Sequence, residues 1–132
     1  MGGLQRGERI FVILIKRAYD PPSEEDGERI LVDRLWPRGI KKEAAHLSPW
    51  LKELGPTTGL RKWFGHDPSR WKEFQVRYAK ELQTTDHRAF LGELAARSRQ
   101  GVVTLVFGAK DREHNHAIVL KKLVGDIVKK AA

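Results

Sequence analysis

The 132-residue chain contains no cysteine. That excludes disulfides, thiolate nucleophiles and cysteine-ligated zinc or iron–sulfur centres, and makes a cytoplasmic location the simplest expectation. Long apolar runs are missing too. The longest, Ile10 to Ile15, has the length of a strand rather than the roughly 20 residues that cross a bilayer. The first residues lack the apolar region and small-residue cleavage site of a secretory signal. Arg6 breaks the myristoylation pattern that Met1-Gly2 opens. Residues 1–8 read as a loose leader and 9–132 as a single domain. The sequence has no Gly-x-Gly-x-x-Gly, Walker loop or Gly-x-Ser-x-Gly elbow, so dinucleotide, P-loop and serine-elbow readings find no support. Basic tracts of 5–8 residues are also absent, although the net charge is +8. A basic domain suits anionic partners, but Lys121-Lys122, Lys129-Lys130 and Lys41-Lys42 are short pairs that fit a solvated surface.

What is present is a set of strand and helix signals. Ile10–Ile15, Arg29–Asp33 and Val102–Phe107 are nearly continuous apolar runs, as in strands covered on both faces. They predict an α/β fold, with a small, mainly parallel sheet flanked by helices on both faces. The twelve-residue Arg17–Glu28 link is short for a parallel crossover, and an antiparallel hairpin there would overturn the reading. We expect this polar link to be ordered as a flap over a pocket. Ser48-Pro49 predicts a short helix closed by Gly55-Pro56, and Leu60–Phe64 another ended by Gly65. Asp67-Pro68 opens a helix with Trp71, Phe74, Tyr78 and Leu82 on one face. Asp86 is the expected cap of the next helix and Asp111 of the last.

Chemistry concentrates where two apolar runs end. Ile30-Leu31-Val32 leads into Asp33-Arg34-Leu35-Trp36-Pro37-Arg38-Gly39, and Val102–Phe107 into Gly108-Ala109-Lys110-Asp111, with His114-Asn115-His116 close behind. Ligands of open α/β sheets sit beyond the strands' carboxyl ends. If the strands are parallel neighbours, all these groups project toward one rim. Tyr19 and Asp20 should join them from the first strand.

Arg17, Arg34, Arg38 and Lys110 would hold an anion, Arg38 through its planar bidentate fork. Tyr19 and Trp36 would line the pocket, although Trp36 alone also fits a lid over the core. Asp33, kept ionised by Arg34, would orient groups or move protons, or else form a structural ion pair. His114 would act as acid or base and Asn115 would orient a substrate oxygen, or His114 would satisfy a buried contact. His114 and His116 are two apart, unlike the helical His-x-x-x-His zinc spacing, so no metal site is assigned, and the sequence leaves any cofactor unknown. Arg61, Trp63 and His66, near Arg70 and Trp71, form a second basic–aromatic group. It fits a helix seam better than a stacking platform for single strands.

Several ordered motifs carry a resemblance. They are Arg17-Ala18-Tyr19-Asp20, Val32–Gly39, Trp50-Leu51-Lys52-Glu53-Leu54, Leu60–His66 and Ala109-Lys110-Asp111 with His114-Asn115. The chain resembles the YeaO-like branch of a bacterial family classed as domain of unknown function 488, from about Ile15 to Leu123. The resemblance implies a compact α/β domain with polar residues at strand ends, and no settled activity. Distant relatives place a Cys-His pair near His114, which this chain cannot match. His116 stands where members of the branch often carry a plain polar residue.

The function expected is binding of an anionic, phosphate-bearing or nucleotide-like small molecule, with hydrolysis or group transfer as an extension. The alternative is a nucleic-acid accessory protein using the same arginines on phosphates, for which only weak, sequence-independent binding is expected. A ligand-free interaction module is a third reading. No membrane partner is indicated, and oligomeric state is not fixed by the sequence.

Overall fold

The computed structural model describes residues 12–47 and 49–131. The leader, Ile10 and Phe11 of the first apolar run, and Ser48 of the expected cap lie outside the described residues. Three parallel strands form the sheet: β1 (Ile13–Arg17), β2 (Glu28–Leu31) and β3 (Val103–Phe107), in the order β1-β3-β2. Ile15 and Ile30 both stand opposite Leu105. β3 is therefore the central strand, and all five of its residues are buried, which is why its apolar run does not alternate.

The first two strands are parallel but not neighbours. The ten residues between them, Ala18–Gly27, cross over β3 with only a 3-10 turn at Glu24–Asp26. So short a crossover has no room for a helix. It is ordered, as expected, yet it does not line the cavity described below. Its conformation is fixed by Gly27, whose φ of +62° suits glycine and whose Cα lies against the Val102 carbonyl. Asp26 anchors it. This carboxylate is 4% exposed and accepts hydrogen bonds from Lys16 Nζ at 3.0 Å and Arg29 Nη1 at 2.6 Å. Its backbone carbonyl accepts one from Thr104 Oγ1 at 2.6 Å. Lys16, Thr104 and Arg29 come from three different strands, so one acid ties the link across the whole sheet.

Side chains alternate between the sheet's faces. One face presents Ile13, Val103, Leu105, Phe107, Ile30 and Val32 to the main core. That core is closed by α2 (Thr58–Phe64), α3 (Trp71–Glu81), α4 (Thr85–Gln100) and α5 (His116–Ala131). On the other face the helical cover is the four-residue α1 (Lys42–Ala45), with the Asp26 link. Leu31 and Val106 there pack under Trp36, Ile40 and Leu47.

The aromatic stripe of α3 forms as read. Phe74 and Tyr78 are 2% and 0% exposed, and Phe64 stacks on Phe74 at 4.5 Å. Each such burial contributes about 1.5–3 kcal/mol. The Tyr78 hydroxyl donates to the Leu54 carbonyl, and burial raises its pKa well above the ordinary phenol value.

Three local expectations are corrected. Pro49–Leu51 is extended, not helical: Leu51 N donates to Leu31 O at 2.9 Å and Leu31 N to Pro49 O at 3.3 Å. The outer edge of β2 recruits this segment, and the helical turn that follows, Lys52–Leu54, is 3-10. The cap of α4 is Thr84, whose hydroxyl accepts from His87 N, rather than Asp86. The cap of α5 is Asn115, whose Oδ1 accepts from Ile118 N at 3.2 Å. Asp111 instead caps the preceding turn, accepting from Glu113 N and His114 N. Elsewhere the punctuation holds. Gly65 ends α2 in the left-handed region, and Asp67 caps the 3-10 turn leading into α3.

Candidate functional site

Beyond the carboxyl ends of β2 and β3 lies a cavity of about 240 Å³. Asp33 and Arg34 reach it from β2, Gly108 and Ala109 from β3, and His114, Asn115 and His116 from the start of α5. Arg61, Phe64 and His66 come from α2 and its end, Phe74 from α3, and Leu35 and Pro56 complete the wall.

Asp33 holds the two strand ends together. Its Oδ2 accepts from Gly108 N at 2.8 Å. A Cβ at Gly108 would lie 2.9 Å from that oxygen, so any larger residue would push the carboxylate from this position. His116 Nε2 is 3.0 Å from both Val32 O and Asp33 Oδ1. Both neighbours are acceptors, so Nε2 carries the proton. The N–H is aligned on the Val32 carbonyl, which leaves Oδ1 buried without an aligned donor among the described residues. Proximity of the imidazole rather than a formed hydrogen bond is thus what Oδ1 receives. The His116 ring also meets Tyr78 edge-on, 6.0 Å between centroids.

His114 is oriented by a carboxylate. Its Nδ1 lies 2.9 Å from Asp111 Oδ2, and its ring stands edge-on to Trp71 at 5.5 Å. Nδ1 therefore carries the proton, and in the neutral ring Nε2 is an acceptor. The hydrogen bond from His114, together with the Glu113 N–H, holds the Asp111 carboxyl below its ordinary pKa. Arg34 is held by two backbone carbonyls, donating from Nε to Pro56 O at 3.1 Å and from Nη2 to Gly55 O at 2.9 Å. Arg61 is exposed and has no ion-pair partner among the described residues.

Of the nine site residues read from the sequence, Asp33, Arg34, His114 and Asn115 line the cavity, and Arg17, Tyr19, Trp36, Arg38 and Lys110 do not. Asn115 is 2% exposed and spends its amide on Asp111 O and Ile118 N. The single rim expected for all the charged groups divides. Arg17 Nε donates to Ala109 O at 2.7 Å, and its guanidinium lies over the Tyr19 ring. Tyr19 in turn donates to the Arg38 carbonyl at 2.9 Å. Arg38 belongs to the Trp36–Ile40 segment on the second sheet face, away from His114. Trp36 is bonded to Ile40 O and packs edge-on to Trp50, as a lid. Lys110 is exposed. Asp20 also leaves the cavity. It forms a two-pronged pair with Arg112 at 2.7 and 2.9 Å, which brings its pKa down to about 2.

Arg61, His66 and His116 are cavity residues that the strand-end argument passed over. For Arg61 a signal existed: Arg61 and Phe64 are one helical turn apart, so an inward Phe64 carries Arg61 to the rim of the same space. The chemistry assembled is two guanidiniums, three imidazoles and one carboxylate against an apolar wall. Among the described residues the lining holds no hydroxyl, thiol or amine side chain.

Comparison with known proteins gives the family. A family model described as the inactive DUF488-N3 subclade matches residues 12–132. YeaO, an uncharacterised protein of Escherichia coli (strain K12), is 44% identical over 108 residues, covering 82% of this chain and 92% of the relative. An uncharacterised protein of Mycobacterium tuberculosis (strain H37Rv) is 38% identical over 112 residues, covering 85% and 92%. No solved structure matches the chain. The chain belongs to the YeaO-like DUF488 family.

Proposed function

We propose that this chain is a cytoplasmic binding protein for a small anionic, phosphate- or carboxylate-bearing molecule, seated in the cavity between the strand ends, α2 and α5. The observation that carries the reading is the convergence of Arg34, Arg61, His66 and His114 on one cavity walled by Leu35, Pro56, Phe64 and Phe74. Guanidiniums match planar anions, and an apolar wall excludes water and strengthens that match. Binding rather than covalent turnover is favoured because the described lining has no hydroxyl or thiol, and its one carboxylate, Asp33, is buried at Oδ1 and engaged by Gly108 at Oδ2, which leaves imidazoles as its remaining nucleophiles. If a hydrolysis or transfer step accompanies binding, His114 Nε2 is the proton acceptor, with Asp111 fixing its tautomer.

The test is a thermal-shift series with inorganic phosphate, sugar phosphates and nucleoside monophosphates. A ligand at about 100 times its dissociation constant stabilises by about 2.7 kcal/mol. Arg61→Gln should abolish the shift without lowering the unliganded midpoint, because its guanidinium is exposed and has no ion-pair partner among the described residues. A shift that survives Arg61→Gln, or no shift with any anion, refutes the proposal. Nucleic-acid binding is less favoured, since Arg17, Arg38 and Lys110 do not gather with Arg34 at one site. It would show itself by a steep salt dependence.

A further inference from the structure

We propose that the outer edge of β1, together with the groove between it and α5, accepts an extended acidic segment of another protein as an added strand. Among the described residues nothing pairs with that edge: β1 is an end strand, bonded only to β3. Val103 N donates to Val12 O and Ala18 N to Phe107 O. These two bonds set the phase of the ladder. Even-numbered residues of β1 turn their backbone groups toward β3, and Ile13, Ile15 and Arg17 turn theirs outward. Arg17 is already satisfied, since its N–H donates to Asp20 Oδ2 and its carbonyl accepts from Asp20 N. The edge left open among the described residues is therefore the short run Ile13–Ile15, with Asp20 closing its far end.

Beside this edge is a groove of about 530 Å³ lined by β1 and by Lys121, Lys122, Gly125, Asp126 and Lys129 of α5. Gly125 sits in the interior of a sixteen-residue helix, where glycine costs about 0.5–1 kcal/mol relative to alanine. At this position it leaves the groove open for a second backbone. Val12 and Leu14 are 36% and 37% exposed, offering apolar contacts to alternate residues of a visiting strand.

Charge selects the occupant. Three lysines face one aspartate, and Asp126 is already bonded to Lys122 at 3.3 Å. A second copy of the chain would set these lysines against their own kind. The chain's own first residues carry Arg6 and Arg9 against Glu8. An acidic extended segment is the match.

The experiment uses the full chain and synthetic peptides of about eight residues, alternating valine with glutamate or valine with lysine, followed by amide NMR and fluorescence anisotropy. The acidic peptide should bind, slow the exchange of the Ile13 and Ile15 amides, and weaken about tenfold in the Lys121→Glu/Lys129→Glu variant. Gly125→Leu, which fills the groove from a half-buried position on the helix, should abolish binding while the helical circular-dichroism signal is retained. Several results would overturn the proposal: equal binding of both peptides, no binding of either, or Ile13 and Ile15 amides already protected in the free chain by its own residues or by dimerisation. Phosphate binding at the strand-end cavity should be untouched by any of these variants.

Discussion

Asp26→Asn should cost far more than an isosteric change at a single side chain suggests. Asp26 receives Lys16 at 3.0 and 3.1 Å, Arg29 at 2.6 Å and the Ser23 N–H at 3.0 Å. Lys16 is 23% exposed and can swing into water, but the Arg29 side chain is 4% exposed. Without the carboxylate, Arg29 keeps only its Nε bond to Ala45 O and remains a buried, uncompensated cation. Removing one partner of such a pair costs about 3–5 kcal/mol, about a fifth or more of a typical domain's 5–15 kcal/mol. In guanidinium, with a slope of roughly 4 kcal/mol per molar, the midpoint should fall by about 1 M.

The pH dependence of this effect has a definite sign. Burial pushes the Asp26 carboxyl up, but the bonds from Lys16, Arg29 and Ser23 overcome it and leave the pKa below the ordinary value. The stabilisation is therefore complete above the unfolded pKa near 3.9 and is lost as pH falls through the lower folded value. Asp26→Asn should flatten that acid limb. Pairing it with Arg29→Met should recover part of the loss, since the stranded cation is then gone. A loss under about 1 kcal/mol, or no recovery in the double variant, would show that water reaches the cluster and would refute the reasoning.

Gly27→Ala should lower stability by about 1–3 kcal/mol or more, because a left-handed φ and the Val102 carbonyl leave no room for a Cβ; a thermal midpoint unchanged from wild type would contradict this. Tyr78→Phe should cost about 1 kcal/mol by orphaning the Leu54 carbonyl, measured by denaturant titration. In the parent protein the Tyr78 phenol should stay neutral until alkaline unfolding, so stability declines as pH rises above about 10. Carboxyl-detected NMR should find Asp20 titrating near pH 2, and Arg112→Ala should move that midpoint upward, since the Arg112 bonds are the main cause of the depression. His114→Gln should shrink the anion-induced thermal shift without abolishing it, since His114 is one of the four polar groups that converge on the cavity; an unchanged shift would take His114 out of the binding set.

The sequence by itself determined the parallel, doubly covered sheet, because only a strand buried on both faces has reason to be apolar without alternation, as Val103–Phe107 is. It also determined the α3 stripe of Phe74 and Tyr78 and the stop at Gly65, which are matters of helical period and local backbone freedom. It located the polar groups of Asp33, Arg34 and His114 at strand ends. What it did not contain is strand order. Period two tells which face a side chain takes, not which strand lies beside it. The insertion of β3 between β1 and β2 therefore had to come from tertiary pairing, and much else follows from it. The inserted strand makes Ala18–Gly27 a crossover anchored by Asp26 rather than a flap. It sets Asp33 against Gly108 and His116, partners 75 and 83 residues away. The segment between Trp36 and Ile40 goes to the second face, taking Arg38 from the cavity, while α2 and its end bring Arg61 and His66 into it. Pro49–Leu51 became extended because the open edge of β2 offered hydrogen bonds that a local helical cap could not outweigh. Which arginines surround a cavity is decided by such long-range contacts, and no local pattern of residues encodes them.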